Sequence, residues 1–119
     1  MPFVSTAPTG TISSQRQRLL ELQRDDGGWA QLPRIAADAF ATGEVLYALH
    51  ASGLPPDSSP YKRGVAYLLR TQLEDGTWLV RSRAFGLQPY LETGFPHGRD
   101  QFISAAATSW AVIALAYTL

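Results

Sequence analysis

The chain contains no cysteine, and its charges balance. With no cysteine in 119 residues, it can form neither disulfides nor thiolate metal sites, and it has no cysteine nucleophile. Ten lysines and arginines match ten aspartates and glutamates, so no net charge attracts nucleic acid or an anionic membrane. We therefore expect no nucleic-acid partner, and the composition does not indicate a redox compartment.

The remaining composition is typical of one globular domain. Apolar residues make up 45% of the chain and charged residues 17%. A chain of this length buries roughly 65% of its unfolded surface, which is enough for a core. Residues 1–13 lack the basic start and apolar core of a signal peptide, and their Pro, Thr, Gly and Ser content predicts a flexible lead-in. A cytoplasmic location, or one peripheral to a membrane, fits these features.

Residues 101–119 carry no charge, which leaves two interpretations. A stretch of about 20 apolar residues can span a bilayer, and it can equally form a helix buried in a protein core. Polar residues interrupt this stretch at Gln101, Ser104, Thr108, Ser109 and Thr118. Because no basic residue flanks its end either, we expect a buried helix and no transmembrane segment.

Four helices account for most of the sequence. The first is predicted to begin between about Thr11 and Ser14 and to end at Gln23, and Ser14 and Gln17 have the spacing of a capping box. The second runs from about 38 to 52, with Asp38 as the cap and Gly53 as the stop. The third is predicted to have Ser59 as its cap and Pro60 in its first turn, and to end near Gln72. The fourth begins between Asp100 and Ser104 and continues towards the chain end.

Two segments of the chain repeat one pattern. Residues 63–78 read RGVAYLLRTQLEDGTW, and residues 18–29 read RLLELQRDDGGW, so the series Gln-x-x-x-Gly-x-Trp recurs at a distance of 49 residues. The helices that follow also match, at a distance of 66 residues, because 41–49 aligns with 107–115. Such repeats indicate a duplicated supersecondary unit. The resulting division is a partial repeat domain over 14–119, with one repeat at 14–53, a second at 59–119, and an inserted loop at 79–100.

This pattern resembles the glutamine–tryptophan motif of the triterpene cyclases, such as squalene-hopene cyclase, which is also called the prenyltransferase/squalene oxidase repeat. The second copy has every position of the motif, whereas the first departs from it at Ser14, Gln15 and Arg18. The resemblance implies an all-α fold of two helical hairpins that form part of an α/α toroid of the terpenoid cyclase/protein prenyltransferase type. Two hairpins are about a third of such a toroid, so either a homo-oligomer or the remainder of a larger toroid is the expected partner.

The resemblance also implies roles for the motif residues. In the family, the glutamine ties its turn to a neighbouring helix terminus and the tryptophan ring stacks over the turn. The residues to which this structural role is carried over are Gln23, Gly27, Trp29, Gln72, Gly76 and Trp78. A large aromatic residue at a repeat turn is usually core, so we expect neither tryptophan to contact a substrate.

The inserted loop carries a second resemblance, to a segment near the C-terminus of the hopene cyclases. Thr93-Gly94-Phe95-Pro96, followed by Asp100-Gln101-Phe102, is similar to a segment whose phenylalanines line the cavity and stabilise carbocations through their ring faces. By this resemblance Phe95, Phe102 and Trp110 would contribute to an apolar cavity for an isoprenoid ligand. Packing of the long loop is an equal alternative for Phe95.

Polar groups in the same loop suggest limited chemistry. His97 and Asp100 could form half of a metal site or an acid–base pair at the substrate site, but only His50 could add a second imidazole. We therefore expect no metal and no cofactor. Neither the Asp-x-Asp-Asp acid motif of the cyclases nor the Asp-Asp-x-x-Asp motif that binds Mg²⁺ occurs in the chain.

Two functions remain open. The chain could be a C-terminal portion of a squalene-hopene cyclase-like isomerase or lyase, contributing an apolar isoprenoid cavity while lacking the catalytic acid. Alternatively, it could be a non-catalytic helical-repeat module for interaction or self-association. The missing acid motif favours the second function for this chain taken alone.

Overall fold

The structure, a computed structural model, describes residues 9–81 and 95–119. Its helices are α1 (Thr9–Glu21), α2 (Ala39–Ala51), α3 (Ser59–Thr71) and α4 (Gln101–Ala116), and a short 3₁₀ turn precedes α4. The described residues form no strand beyond one isolated bridge between Trp29 and Asp38. The prediction of an all-α protein is therefore confirmed. Residues 1–8 of the expected lead-in and 82–94 of the inserted loop lie outside the described residues.

Helix α2 begins and ends as its sequence predicts. Asp38 has extended backbone geometry, and its Oδ1 accepts a hydrogen bond from the backbone N–H of Ala41 at 2.8 Å. At the other end Gly53 has a φ of 100°, which a residue with a side chain adopts only with strain. These two residues fix the ends of the helix that lies at the centre of the fold.

The predicted cap of α3 and the predicted start of α1 are wrong. The cap of α3 is Ser58 rather than Ser59, and its hydroxyl donates to the carbonyl of Pro55 instead of binding the helix. Helix α1 begins at Thr9, so residues 9–13 of the expected lead-in are helical and Ser14 lies inside the helix, where it cannot form a capping box. Relative to alanine, glycine, threonine and serine each destabilise a helix by less than about 1 kcal/mol. Packing against other elements offsets a cost of this size, so the helix still forms.

The helices form two layers. Helices α2 and α4 make the most extensive contact, and α1 and α3 pack against this inner pair. The pair approaches closely because Gly43 has no side chain: a Cβ there would lie 2.7 Å from the backbone carbonyl carbon of Trp110. Between the layers lies a core of large side chains and small alanines. Its largest fully buried apolar members are Trp29, Trp78, Tyr61, Leu46, Leu49 and Leu68.

Candidate functional site

The two Gln-x-x-x-Gly-x-Trp turns have the same hydrogen bonds. Gln23 donates through Nε2 to the carbonyl of Gly27 at 2.9 Å, and Gln72 does the same to Gly76 at 2.9 Å. Both glycines have positive φ, 91° and 88°. The glutamine therefore closes its own turn in each repeat.

Each tryptophan connects the three parts of its repeat. The indole N–H of Trp29 donates to the carbonyl of Leu19 at 2.7 Å, and that of Trp78 to Leu68 at 2.9 Å. Their backbone N–H groups donate to threonine hydroxyls on the inner helices, Thr42 at 2.9 Å and Thr108 at 3.2 Å. Each ring is thereby bonded to the outer helix before it and its backbone to the inner helix after it. Both rings are buried, so neither offers a face to a ligand.

The carboxylates of the two turns serve the turns themselves. Asp26 accepts from the backbone N–H of Gly28 at 2.9 Å, and Asp75 accepts from that of Thr77 at the same distance. Asp75 also accepts from the Thr77 hydroxyl at 2.6 Å, and this bond lowers the pKa of its carboxyl group below its usual value. Neither group is arranged as a general acid.

His97 lies at the second turn, with its ring bonded to the same threonine. Its Nε2 is 2.8 Å from Thr77 Oγ1, and Phe95 lies edge-on to the imidazole at 6.4 Å between ring centres. The single hydroxyl proton of Thr77 is already donated to Asp75, so His97 is the donor in its own bond. A base that activates a hydroxyl nucleophile must instead accept that proton, so the arrangement does not activate Thr77.

The residues predicted for a cavity are not brought together. Phe95 and His97 lie beside the second turn, and Asp100 follows in the 3₁₀ turn, with its backbone N–H bonded to the His97 carbonyl. Phe102 is 40% exposed in the first turn of α4, and Trp110 lies eight residues, or about 12 Å, further along that helix. An open groove lined by Pro55, Pro56 and Tyr117 lies elsewhere and includes none of these five side chains.

Trp110 instead belongs to a row of rings across the seam between α2 and α4. It packs on Tyr47 at 5.3 Å between ring centres, Tyr47 faces Tyr117 at 6.3 Å, and Tyr117 stacks on His50 at 3.7 Å with the planes 5° apart. We call Tyr47, His50, Trp110 and Tyr117 the aromatic strip. None of the four is fully buried. The strip as a unit was not predicted from the sequence, although spacings of three residues (Tyr47 and His50) and seven residues (Trp110 and Tyr117) place each pair on one side of its helix.

An open groove adjoins one end of the aromatic strip. Its volume is about 540 Å³, and its walls include Pro55, Pro56, Lys62, Val65 and the ring of Tyr117. Mostly apolar walls with one cationic and one anionic side chain, Lys62 and Asp57, suit an elongated apolar molecule with a polar end. Tyr117 is the residue that the groove and the strip share.

Two buried tyrosines hold the helices together. Tyr61 of α3 donates its hydroxyl proton to the carbonyl of Ala114 in α4 at 2.7 Å, and Tyr67 donates to Ala37 at 2.9 Å. Burial is the main cause that raises the pKa of each hydroxyl to about 12. Both hydroxyls are therefore neutral hydrogen-bond donors at physiological pH.

The described part of the chain shows neither a cluster of metal ligands nor a membrane-spanning helix. Residues 9–81 and 95–119 contain no group of three or more His, Asp or Glu side chains placed to hold a metal ion. In the same residues, no helix combines the length and the apolar character needed to cross a bilayer. His50, the only imidazole that could have joined His97, is stacked on Tyr117.

Comparison with known proteins gives no relative. No family model matches the chain, and neither the curated proteins nor the solved structures contain a match. Its candidate site is thus defined by its own geometry: two matched turns and one aromatic strip.

Proposed function

We propose that this chain is a helical-repeat unit of an α/α toroid of the terpenoid cyclase type, in which its inner helices supply an aromatic wall for an apolar isoprenoid ligand. The single observation that carries the proposal is the aromatic strip. It runs across α2 and α4, the two helices that would form the inner ring of a toroid. The catalytic acid would come from elsewhere in such an assembly.

The arrangement of the inner helices supports this role. Helix α2 buries Leu46 and Leu49, with Leu46 beside Gly64 of α3, while Tyr47 is 41% exposed on another side of the helix. In a toroid the inner helices face the central cavity with the side that their outer helices do not cover. Tyr47 and the neighbouring Trp110 would then meet a ligand with their ring faces.

The chemistry of the strip fits an unsaturated apolar chain. Ring faces carry partial negative charge, so they attract carbocations, and they make dispersion contacts with an apolar chain. The strip combines such faces with the mostly apolar groove beside Tyr117. Phe95 and Phe102 lie outside the strip, so the wall we propose rests on Tyr47, Trp110 and Tyr117 rather than on those two phenylalanines.

Binding of farnesol, an isoprenoid alcohol, tests the proposal. Trp29 and Trp78 are buried, so a change in tryptophan fluorescence on titration reports mainly on Trp110. We expect Tyr47→Ala to weaken binding about tenfold, because it removes the ring between Trp110 and Tyr117. Its melting temperature should change little, since Tyr47 is far from fully buried.

Phe102→Ala is the matched control, because Phe102 is 40% exposed and Tyr47 is 41% exposed. The control should bind farnesol within about twofold of the wild type. An equal loss in the two variants would place the ligand along α4 instead of on the strip. If the wild-type chain shows no saturable change with farnesol, the proposed function is wrong.

The second candidate function is that of a non-catalytic interaction module. The specific observation in its favour is that α4 exposes Val112 and Ile113, which lie on one side of the helix. The sequence predicts self-association through Trp110, Val112 and Ile113, with α4 of one copy against its mate. Sedimentation velocity at micromolar concentration tests this pairing, and a clean monomer would contradict it.

A further inference from the structure

The two repeats differ in whether other helices cover their surfaces. The first turn and α2 are covered by α3 and α4, whereas the matching surface of the second repeat is open to solvent. We call this surface the open edge. It consists of Gln72 and Gly76 in the turn and Ser109, Val112, Ile113 and Ala116 on α4.

At the first turn, α3 completes the bonds of the glutamine. Gln23 donates to the Pro60 carbonyl at 2.9 Å and accepts from the Arg63 guanidinium at 3.2 Å. A Cβ on Gly27 would lie 2.4 Å from the Arg63 carbonyl oxygen, which shows how closely α3 sits on the turn.

At the second turn these partners are missing among the described residues. The only side-chain bond of Gln72 there is the one to Gly76 within its own turn. Within residues 9–81 and 95–119, a Cβ on Gly76 would meet nothing nearer than Gln72 Nε2 at 4.0 Å. The turn keeps its internal structure, and no helix of the described part of the chain covers its outer surface, which includes the exposed Glu74 and Asp75.

The inner helices show the same difference. Leu46 of α2 is 0% exposed because α3 lies against it, with Gly64 allowing the approach, whereas its equivalent Val112 on α4 is 54% exposed. Gly43 of α2 lies against the backbone of Trp110, whereas its equivalent Ser109 is exposed. The exposed side of α4 is therefore the equivalent of the side by which α2 packs against α3 and α4.

We propose that the open edge binds a further helical hairpin of the α3–α4 kind, carried by a partner polypeptide. Its outer helix would offer a first-turn carbonyl to Gln72 and two arginines seven residues apart, as Arg63 and Arg70 are. These arginines donate to the carbonyls of Arg24 and Asp26 at the first turn. The matching carbonyls of the second turn also lie beside two acidic side chains, Glu74 and Asp75, so a basic helix is favoured there as well.

A second copy of this chain fits the edge poorly. In the docking position its α1 would bring Gln15 to the place of Gly64, where space is short, and Glu21 to the place of Arg70, next to Asp75. Its α2 would bring Glu44 to the place of Trp110. A charged group on an apolar surface and two carboxylates side by side both oppose binding. The limited space and the acidic side chains of the open edge thus disfavour a hairpin like α1–α2 and favour one like α3–α4.

Binding of a labelled synthetic peptide with the sequence of residues 58–72 to the full chain tests the inference. Fluorescence anisotropy should show saturable binding, because this peptide carries both arginines and the glycine. Val112→Arg in the chain should weaken binding about tenfold, since the new side chain occupies the centre of the edge. Leu32→Arg is the matched control, because Leu32 is 55% exposed elsewhere, and it should bind within about twofold of the wild type.

A short free peptide must form a helix before it can bind, which weakens its binding. Joining the helix covalently to the chain avoids this problem. A copy of residues 52–72 joined after Tyr117 repeats the connection that leads from α2 into α3 and holds the helix at a high effective concentration. This extension should raise the melting temperature by several degrees. Arg63→Glu and Arg70→Glu made in the appended copy should remove the increase, as should Val112→Arg in α4.

Three results would overturn the inference. The first is no peptide binding together with no stabilisation by the extension. The second is peptide binding that Val112→Arg leaves unchanged. The third is a dimer of the unmodified chain that Val112→Arg dissociates, because the edge would then be occupied by a second copy. Farnesol binding by the Val112→Arg variant should remain, so failure here is distinguishable from failure of the proposed function.

Discussion

At the scale of single residues, the two turn glycines allow the cost of a positive φ to be measured apart from the cost of close packing. Gly27 and Gly76 have nearly equal positive φ, 91° and 88°, so a side chain at either position meets the same conformational penalty. Only Gly27 is pressed against another helix, through the carbonyl of Arg63. A pair of substitutions can therefore measure the contact that α3 makes with the first turn.

We expect Gly27→Ala to lower the free energy of unfolding more than Gly76→Ala does. Gly76→Ala should cost about 1–2 kcal/mol, from the left-handed conformation alone. Gly27→Ala should cost about 1–3 kcal/mol more, because the backbone of α3 must move away. Urea denaturation of both variants measures the difference, and equal losses would mean that α3 does not sit on the turn.

The buried tyrosines give the fold a sensitivity to alkaline pH. In the unfolded chain their pKa is about 10, and in the folded protein it is raised to about 12. Between these values the unfolded state has lost the protons that the folded state retains. Stability is therefore fully present below pH 10 and falls as the pH rises towards 12, by up to about 1.4 kcal/mol per pH unit for each tyrosine.

Tyr61→Phe should flatten this dependence. The variant loses one hydrogen bond to the Ala114 carbonyl and should be less stable by about 1–2 kcal/mol at pH 7. Its free energy of unfolding should then fall less steeply than that of the wild type between pH 10 and 12. Urea denaturation at several pH values tests this, and parallel slopes would contradict the protonated state that we assign to Tyr61.

At the scale of elements, the sequence predicted where helices exist better than where they start. Asp38 and Gly53 bound α2 as expected because cap and stop act through local bonds. The cap of α3 lies one residue earlier than predicted, since Ser58 and Ser59 are chemically equivalent and Ser58 bonds back to Pro55. The start of α1 at Thr9 was missed because no strong cap or stop marks it.

The contact between α2 and α4 depends on one glycine. Gly43→Ala places a methyl group against the backbone of Trp110, so the helices must separate, and stability should fall by about 1–3 kcal/mol. Ser109→Ala is the control, because Ser109 is the exposed equivalent of Gly43 and should change stability by less than about 0.5 kcal/mol. Thermal denaturation compares the two, and no loss in Gly43→Ala would contradict the close helix contact.

At the scale of the whole molecule, the two repeat distances predicted which residues are equivalent. The distance of 66 residues aligned Thr42 with Thr108, and both hydroxyls accept from the tryptophan backbone of their own repeat. The aromatic strip could not be predicted in this way, because it depends on which sides of α2 and α4 meet. Trp110 was expected beside Phe95 and Phe102 by resemblance, but the helix contact sets it against Tyr47.

The central claim is that the chain consists of two copies of one helical unit, each held by its own tryptophan. Exchange of the three indole N–H protons with D₂O, followed by NMR, tests it most directly. Those of Trp29 and Trp78 are bonded to Leu19 and Leu68 inside the core, whereas Trp110 is partly exposed, with no acceptor for its indole N–H among the described residues. We predict two strongly protected indole protons and one that exchanges rapidly. Rapid exchange at Trp78, with protection at Trp29 alone, would contradict the claim.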